Sequence, residues 1–383
     1  MLIRNAMIHN AVEKEAHMGD IRVLNGKIEE IGKALEPVGG EAVIDATGLS
    51  AYPGFVDAHC HIGLDNYGGS TAGPQDYNEK NDIITPQLRG IDSYYPLDAA
   101  IPKALEGGVT CVGTGPGSAN VLGGTFFAVK LYGNSVDKAC VKNPVAMKCA
   151  FGENPKRVYQ NKCNSARMTV AAKLREALFT AREYMLRKEA AGDDFSKQPK
   201  FDMKLEALIP VLKKEIPLKA HAHRADDILT AVRIAKEFDV LLTIEHCTEG
   251  HLIVEELVEA GYPVAVGPTF SNAGKLETVN KTWETPGILQ RAGLSVSIIT
   301  DAPVTLQQNL PLCAAMAIRA GMDPFEALKA ITINPAKHLG IADRVGSLEA
   351  GKDADILLMD GDCFSYTSKV RYVIVDGKVM VQA

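Results

Sequence analysis

Two histidines one residue apart, His59 and His61, end the apolar run Pro53-Gly54-Phe55-Val56-Asp57-Ala58. A β-strand sends residues i and i+2 to the same face, so both rings can aim at one point beyond the strand's carboxyl end. Paired imidazoles in that setting commonly hold a metal. Three further segments finish in a metal-capable side chain: Leu218-Lys219-Ala220-His221-Ala222-His223, Leu241-Leu242-Thr243-Ile244-Glu245-His246 and Val296-Ser297-Ile298-Ile299-Thr300-Asp301. Singly, each has an ordinary reading, since His246 can be a hydrogen-bonded core residue and Asp301 can cap a helix. Jointly they carry more, because the chain has only 9 histidines and these motifs hold His59, His61, His221, His223 and His246.

Such side chains need a scaffold that delivers several strand ends to one face. The strand candidates Gly54–Ala58, Val109–Gly113, Val145–Phe151, Leu218–Ala222, Leu241–Glu245, Pro263–Val266 and Val296–Thr300 alternate with helix candidates. The helices are Ala166–Lys188, Asp226–Phe238, His251–Ala260, Gly287–Ala292, Asn309–Ala320 and Pro324–Ala330. That alternation predicts an α/β fold, a (β/α)8 TIM-like barrel whose active site lies at the carboxyl ends of the strands. Seven strands are found, and the fourth is sought in the long, charged segment Asn161–Pro217. Short β-like runs fill residues 1–52 and return in 343–383, where Asp376-Gly377 between apolar runs marks a hairpin. Neither piece suffices alone, so the two are expected to form one small β-sandwich domain around a barrel at 53–342.

A length of 383 residues suits a barrel of about 250 residues with a further domain. Charged residues make up 23% and the net charge is -6, which gives no electrostatic case for nucleic acid or an anionic membrane. The start lacks a signal-peptide core, and no stretch approaches the ~20 apolar residues of a membrane span. Eight cysteines without a CxxC pair argue for reduced thiols, hence a cytoplasmic location. Cys60 and Cys247 adjoin ligand candidates but face the other way along their strands, as packing residues. Gly113-Thr114-Gly115-Pro116-Gly117-Ser118 lacks the GK[ST] ending of a phosphate loop and is expected to line the pocket as a flexible loop. The polar insertion Asp65–Asn81, with Tyr67, Gly68 and Gly69, could serve as a lid.

The segments PGFVDAHCHIG, LKAHAH, TIEHC, SIITDAPV and the closing RVGSLEAGKDADILLMDGD resemble the amidohydrolase superfamily of metal-dependent hydrolases, in its imidazolonepropionase-related branch. The resemblance spans nearly the whole chain. It implies that His59 and His61 bind the more buried metal with Asp301, while His221 and His246 serve a second metal or the substrate. His223 competes with His221 for the ligand role and otherwise faces the substrate with Arg224, whose guanidinium suits a carboxylate clamp. Two metals need an anionic bridge. Glu153 resembles the strand-end glutamate of N-acetylglucosamine-6-phosphate deacetylases, and Lys148 the carboxylated lysine of dihydroorotases; Glu153 is preferred as nearer the strand end.

The implied cofactor is one or two divalent ions, zinc first, with manganese, iron or cobalt fitting similar ligands. Metal-bound hydroxide would attack a polarised carbonyl, Asp301 would move the proton as general base and then acid, and His246 or His223 would stabilise the oxyanion. The expected activity is hydrolysis of an amide or cyclic amide of a small molecule, a dipeptide among them. A deaminase of a small heterocycle is the alternative, although such members usually carry Glu where Arg224 stands. A non-catalytic scaffold is the third class, and it usually loses the ligands that are all present here. Homo-oligomers are common in the superfamily, an analogy only.

Overall fold

The computed structural model describes residues 1–67 and 75–383. The chain opens with β1 (Leu2–Ile8), β2 (His17–Leu24), β3 (Lys27–Gly32), β4 (Val43–Asp45) and β5 (Ser50–Pro53). The barrel strands follow: β6 (Phe55–Cys60), β7 (Val109–Thr114), β8 (Leu122–Lys130), β9 (Cys140–Ala150), β10 (Leu218–Ala222), β11 (Leu242–His246), β12 (Val264–Val266) and β13 (Val296–Ile298). The chain ends in β14 (Ile356–Met359), β15 (Val370–Val375) and β16 (Lys378–Gln382).

The terminal segments do pair. Their strands form one sheet in the order β16-β15-β14-β5-β1-β2-β3, with β4 beside β1. Ile28 on β3 exchanges backbone bonds with Gly351 and Lys352 ahead of β14, so the sheet folds over its own apolar core of Ile3, Ile8, Ile21, Ile28, Ile356 and Leu358. Pro53 still pairs with Ile356 in this sheet, and the barrel begins two residues later.

The second sheet runs β6 through β13 in sequence order. Its two edges meet where Asp301 N donates to His59 O at 3.1 Å and His61 N to Ala302 O at 2.8 Å, which nearly closes a barrel. β6, β7, β10, β11, β12 and β13 are buried along their whole length, which explains why they read as near-continuous apolar runs. The helix Arg167–Ala191 adds Val170, Leu174, Leu178 and Ala181, spaced to share one face, to the core shared by β9 to β13.

Two expectations are corrected here. The strand sought within Asn161–Pro217 is absent among the described residues; that segment holds the helices Arg167–Ala191 and Met203–Leu212. The unassigned strand is β8, third in order, and it is antiparallel to both β7 and β9. Reversal removes the need for a crossover helix, so β8 escapes a reading that looks for strand and helix in turn. The barrel is therefore TIM-like with one reversed strand.

At its far end β8 meets the terminal sheet. Lys130 Nζ lies 2.8 Å from Asp353 Oδ2 and 2.9 Å from Asp355 Oδ1, and it also contacts Asp376. Among the described residues no helix is long and apolar enough to cross a membrane.

Candidate active site

Local backbone geometry turns the strand-end side chains inward. Glu245 and His246 are neighbours that a regular strand would point apart, but His246 takes φ 71° and Cys247 φ 45°, so the alternation breaks at the strand end. Asp301 is also left-handed, at φ 52°. Such conformations persist only where surroundings over-determine them. Here the buried Asp57 does so: its Oδ1 accepts from His59 N at 3.0 Å, and its Oδ2 accepts from Thr300 N at 3.1 Å, Thr300 Oγ1 at 2.6 Å and Gln307 Nε2 at 2.7 Å. One carboxylate thus ties the first barrel strand to the loop that carries Asp301. Burial pushes its pKa up to about 6 against the pull of these bonds.

His59, His61 and His246 have their tautomers set by what Nδ1 meets. His61 Nδ1 donates to Gly115 O and His246 Nδ1 to Gly267 O, each at 2.8 Å, because a carbonyl can only accept. Gly267 must be glycine for this: at φ 139° a Cβ would come within 2.2 Å of Ile299 O. His59 Nδ1 donates to Glu245 Oε2 at 2.8 Å, and its Nε2 accepts from Lys148 Nζ at 2.9 Å. Burial, with lesser contributions from nearby charges, holds His59, His221, His223 and His246 well below the usual histidine range, so all four are neutral donors of a lone pair.

These lone pairs converge. His221, His223 and His246 offer ligand atoms within 4.8 Å of one another, and so do His59, His246 and Asp301. Asp301 Oδ1 stands 3.3 Å from His61 Nε2 and 3.7 Å from His59 Nε2. His221 Nδ1 and His246 Nε2 are buried and have no hydrogen-bond partner. A buried polar atom without a partner is costly and is rarely kept. Neutral imidazoles, a carboxylate and orphaned nitrogens are the donor set a divalent transition metal takes.

Of the two bridge candidates, only Lys148 reaches this cluster. Its side chain is fully buried, and burial lowers its pKa from 10.5 to about 8 although Asp301 and Glu245 pull the other way. Glu153 instead opens the helix Glu153–Tyr159, where its Oε1 accepts from Glu277 N at 3.1 Å, away from the histidines. Arg224 is not brought into the cavity either: Nε and Nη2 fork onto Asp226 at 2.6 and 2.5 Å. His223 lines the cavity, its Nδ1 2.7 Å from Thr248 Oγ1. Cys60 and Cys247 are buried packing residues.

Several participants escaped the sequence reading. Glu245 also takes Lys219 Nζ at 2.8 Å and His338 Nε2 at 2.7 Å; burial would raise its pKa, but these two partners outweigh burial and hold it well below the usual range. A charged residue inside the apolar run LLTIEH was the available signal. Phe126 on the reversed strand carries the ammonium groups of Lys148 and Lys219 over its ring, each 5.3 Å from the centroid. Gly115 is buried and serves His61, so this part of the glycine-rich stretch is a fixed support. Of the lid candidate, residues 68–74, Gly68 and Gly69 among them, lie outside the described residues; Tyr77 stacks on His61 at 4.9 Å.

The site opens into a cavity of about 510 Å³ lined by His61, His221, His223 and Asp301 together with Asn154, Lys275 and Lys281.

Comparison with known proteins gives the same picture. A sequence profile described as the amidohydrolase family matches residues 50–380. The crystal structure of an amidohydrolase from Thermotoga maritima MSB8 superposes with a TM-score of 0.96 at 41% identity over the whole of both chains. The amidohydrolase tasK of Hapsidospora irregularis is 31% identical over 94% of this chain, which spans 39% of that longer protein. A 5'-deoxyadenosine deaminase of Methanobrevibacter smithii is 23% identical over 100% of this chain and 92% of its own length.

Proposed function

The chain belongs to the amidohydrolase family, and from that premise we propose that it hydrolyses an amide or cyclic amide bond of a small molecule with one or two divalent metal ions. The observation that carries the reading is the pair of buried, unpartnered nitrogens, His221 Nδ1 and His246 Nε2, beside Asp301. His59, His61 and Asp301 would hold one ion, and His221 and His246 a second. Lys148, which reaches the cluster where Glu153 does not, would supply the anionic group between them. Its lowered pKa supports this, because a neutral amine can add carbon dioxide to give a carbamate and release a proton. Zinc suits the set best, with manganese, iron or cobalt close behind.

A divalent ion bound there supplies Lewis acidity, polarising a carbonyl and lowering the pKa of water from 15.7 to about 7. The rest of the chemistry belongs to the chain. Asp301, whose side chain is 16% exposed and faces the cavity, takes the proton of the attacking water and hands it to the leaving nitrogen. His223 stands 2.7 Å from Thr248 Oγ1 through Nδ1; when it is not a ligand, the tautomer in which Nδ1 accepts from Thr248 would present an Nε2–H to the oxyanion that develops on the substrate. Glu245 fixes the His59 ring, and Asp57 fixes the backbone on which His59 and Asp301 ride.

We assign residues 1–52 and 343–383 to the β-domain and 53–342 to the barrel. The eight free cysteines support a reducing compartment such as the cytoplasm. The test is Asp301→Asn, which lowers turnover by roughly a thousandfold with the circular dichroism spectrum unchanged; turnover close to wild type overturns the assignment. Deamination is the second reading, favoured by the near full-length match to a deaminase. Release of ammonia from an aminated heterocycle, without amide cleavage, would select it.

A further inference from the structure

The cavity above Asp301 has a charge pattern that the proposed chemistry does not need. Its ionisable lining, apart from the histidines, tyrosine and Asp301, is Lys80, Arg157, Lys275 and Lys281. The chain as a whole carries a net charge of -6, so this cationic lining is local. Lys80 and Arg157 are exposed at the mouth. Lys281 spends its donors on Ser271 Oγ at 2.9 Å and on the carbonyls of Ser271 and Asn272.

Lys275 is different. Its side chain is 24% exposed, and its ammonium makes no hydrogen bond among the described residues. The nearest carboxylate, Glu277 Oε1, stands 3.7 Å away, and the other oxygen of Glu277 already accepts from Glu153 N at 2.7 Å and Arg167 Nη2 at 3.4 Å. Lys275 lines the same cavity as His221 and His223; burial lowers its pKa, and its charge adds to the burial that depresses those two histidines. Its charge is balanced by Glu277 Oε1, an oxygen with no hydrogen-bond partner of its own, while its N–H donors stay open to an anionic ligand in the cavity.

We propose, building on the hydrolase reading, that the substrate is a carboxylate-bearing amide and that the Lys275 ammonium, projecting into the cavity near His221 and His223, binds that carboxylate. Lys275 thus takes the role for which the sequence offered Arg224. The anion is a carboxylate and not a phosphate because one ammonium with free donors matches a single negative charge, whereas phosphate sites gather paired guanidinium forks or converging backbone N–H groups. A cavity of about 510 Å³ accepts a molecule of modest size with its carboxylate at Lys275 and its scissile bond at Asp301.

The test uses the full-length protein loaded with zinc, with glutarate and its neutral counterpart glutaramide as calorimetric probes. Glutarate should bind, and Lys275→Gln should weaken it by about tenfold or more, leaving glutaramide and the metal content per chain unchanged. Lys275→Arg, which keeps the charge, should restore most of the affinity. Equal metal in wild type and Lys275→Gln separates the lysine from any direct bond between glutarate and zinc. No binding of glutarate, equal affinity of wild type and Lys275→Gln for it, or tighter binding of inorganic phosphate would each overturn the proposal.

Cleavage of N-acetyl amino acids against their carboxamides separates this inference from the reading beneath it. Preference for the carboxamides rejects the carboxylate and keeps the hydrolase. The glutarate pattern without cleavage of either series or of carboxylate-bearing cyclic amides rejects the hydrolase and keeps the anion site.

Discussion

Two buried lysines in this barrel meet opposite surroundings. Lys130, at the end of β8 that faces the terminal sheet, is ringed by Asp353, Asp355 and Asp376; burial would lower its pKa, but those carboxylates outweigh burial and raise it. Lys148, on the neighbouring strand β9, touches a neutral imidazole and the face of Phe126, and burial brings it down to about 8. A lysine locked in its charged form fastens two parts of a fold. One poised to lose its proton near neutrality is available for covalent and metal chemistry. The same residue type is thus a clamp at one end of the barrel and, in the proposed site, a bridge candidate at the other.

The comparison breaks if the two lysines prove interchangeable in what they support. Lys148→Met should lower turnover by about a thousandfold while the protein still folds, since a methionine of similar length removes an amine that burial disfavours in its charged form. Activity assays beside urea unfolding check this; retained turnover would place Lys148 outside the site. Lys130→Met should do the reverse. Asp353 keeps Lys27 and Arg344, but Asp355 and Asp376 lose the cation that pairs with them among the described residues. That loss should cost about 3–5 kcal/mol of stability, visible as a lower urea midpoint, while the protein that remains folded keeps its activity.

Proton linkage sharpens the contrast. In the metal-free protein Lys148 has a folded pKa of about 8 against 10.5 unfolded, so the unfolded chain binds more protons between those values. Its contribution therefore makes stability rise with pH across that window. Lys130, with its folded pKa raised, contributes stability that is complete below 10.5 and is lost as pH climbs through its folded value. Unfolding of wild type and each methionine variant from pH 8 to 10.5 should show that Lys148→Met flattens the rise, whereas Lys130→Met does not. The same titration governs reactivity: at pH 7 about one-tenth of Lys148 is neutral, so at equal dissolved carbon dioxide carbamate formation should be roughly tenfold slower there than at pH 9. A flat profile would contradict a carbamate on Lys148.

The smallest expected effect concerns supports. Glu245→Gln leaves the ligand atoms in place but removes the charge that orients His59, and it should weaken metal affinity by about 10- to 100-fold. Equilibrium dialysis against a chelator would measure it.

Much of this was legible from residue order. Parallel strands buried on both faces announce themselves as apolar runs, and four of them end in a metal-capable side chain; His59, His61, His221, His223, His246 and Asp301 became ligand candidates that way, and the fold brings them together. What escaped depends on contacts between elements. β8 reverses direction and needs no helix before it. Glu153 sits at the expected distance from its strand end, yet the helix it opens carries its carboxylate to Glu277. Arg224 is captured by Asp226, two residues on, a local fork that the sequence does display. Lys275 lies in an irregular stretch after β12 where no periodicity marks a candidate, and only the fold brings it into the cavity that His221 and His223 line.

The most direct test of the two-metal site bridged by Lys148 is elemental mass spectrometry of wild type and Lys148→Met, purified without chelators or a histidine tag and incubated with zinc and bicarbonate. The account predicts about two ions per wild-type chain and at most one in the variant. No metal in the wild type, or two ions in both proteins, would contradict it.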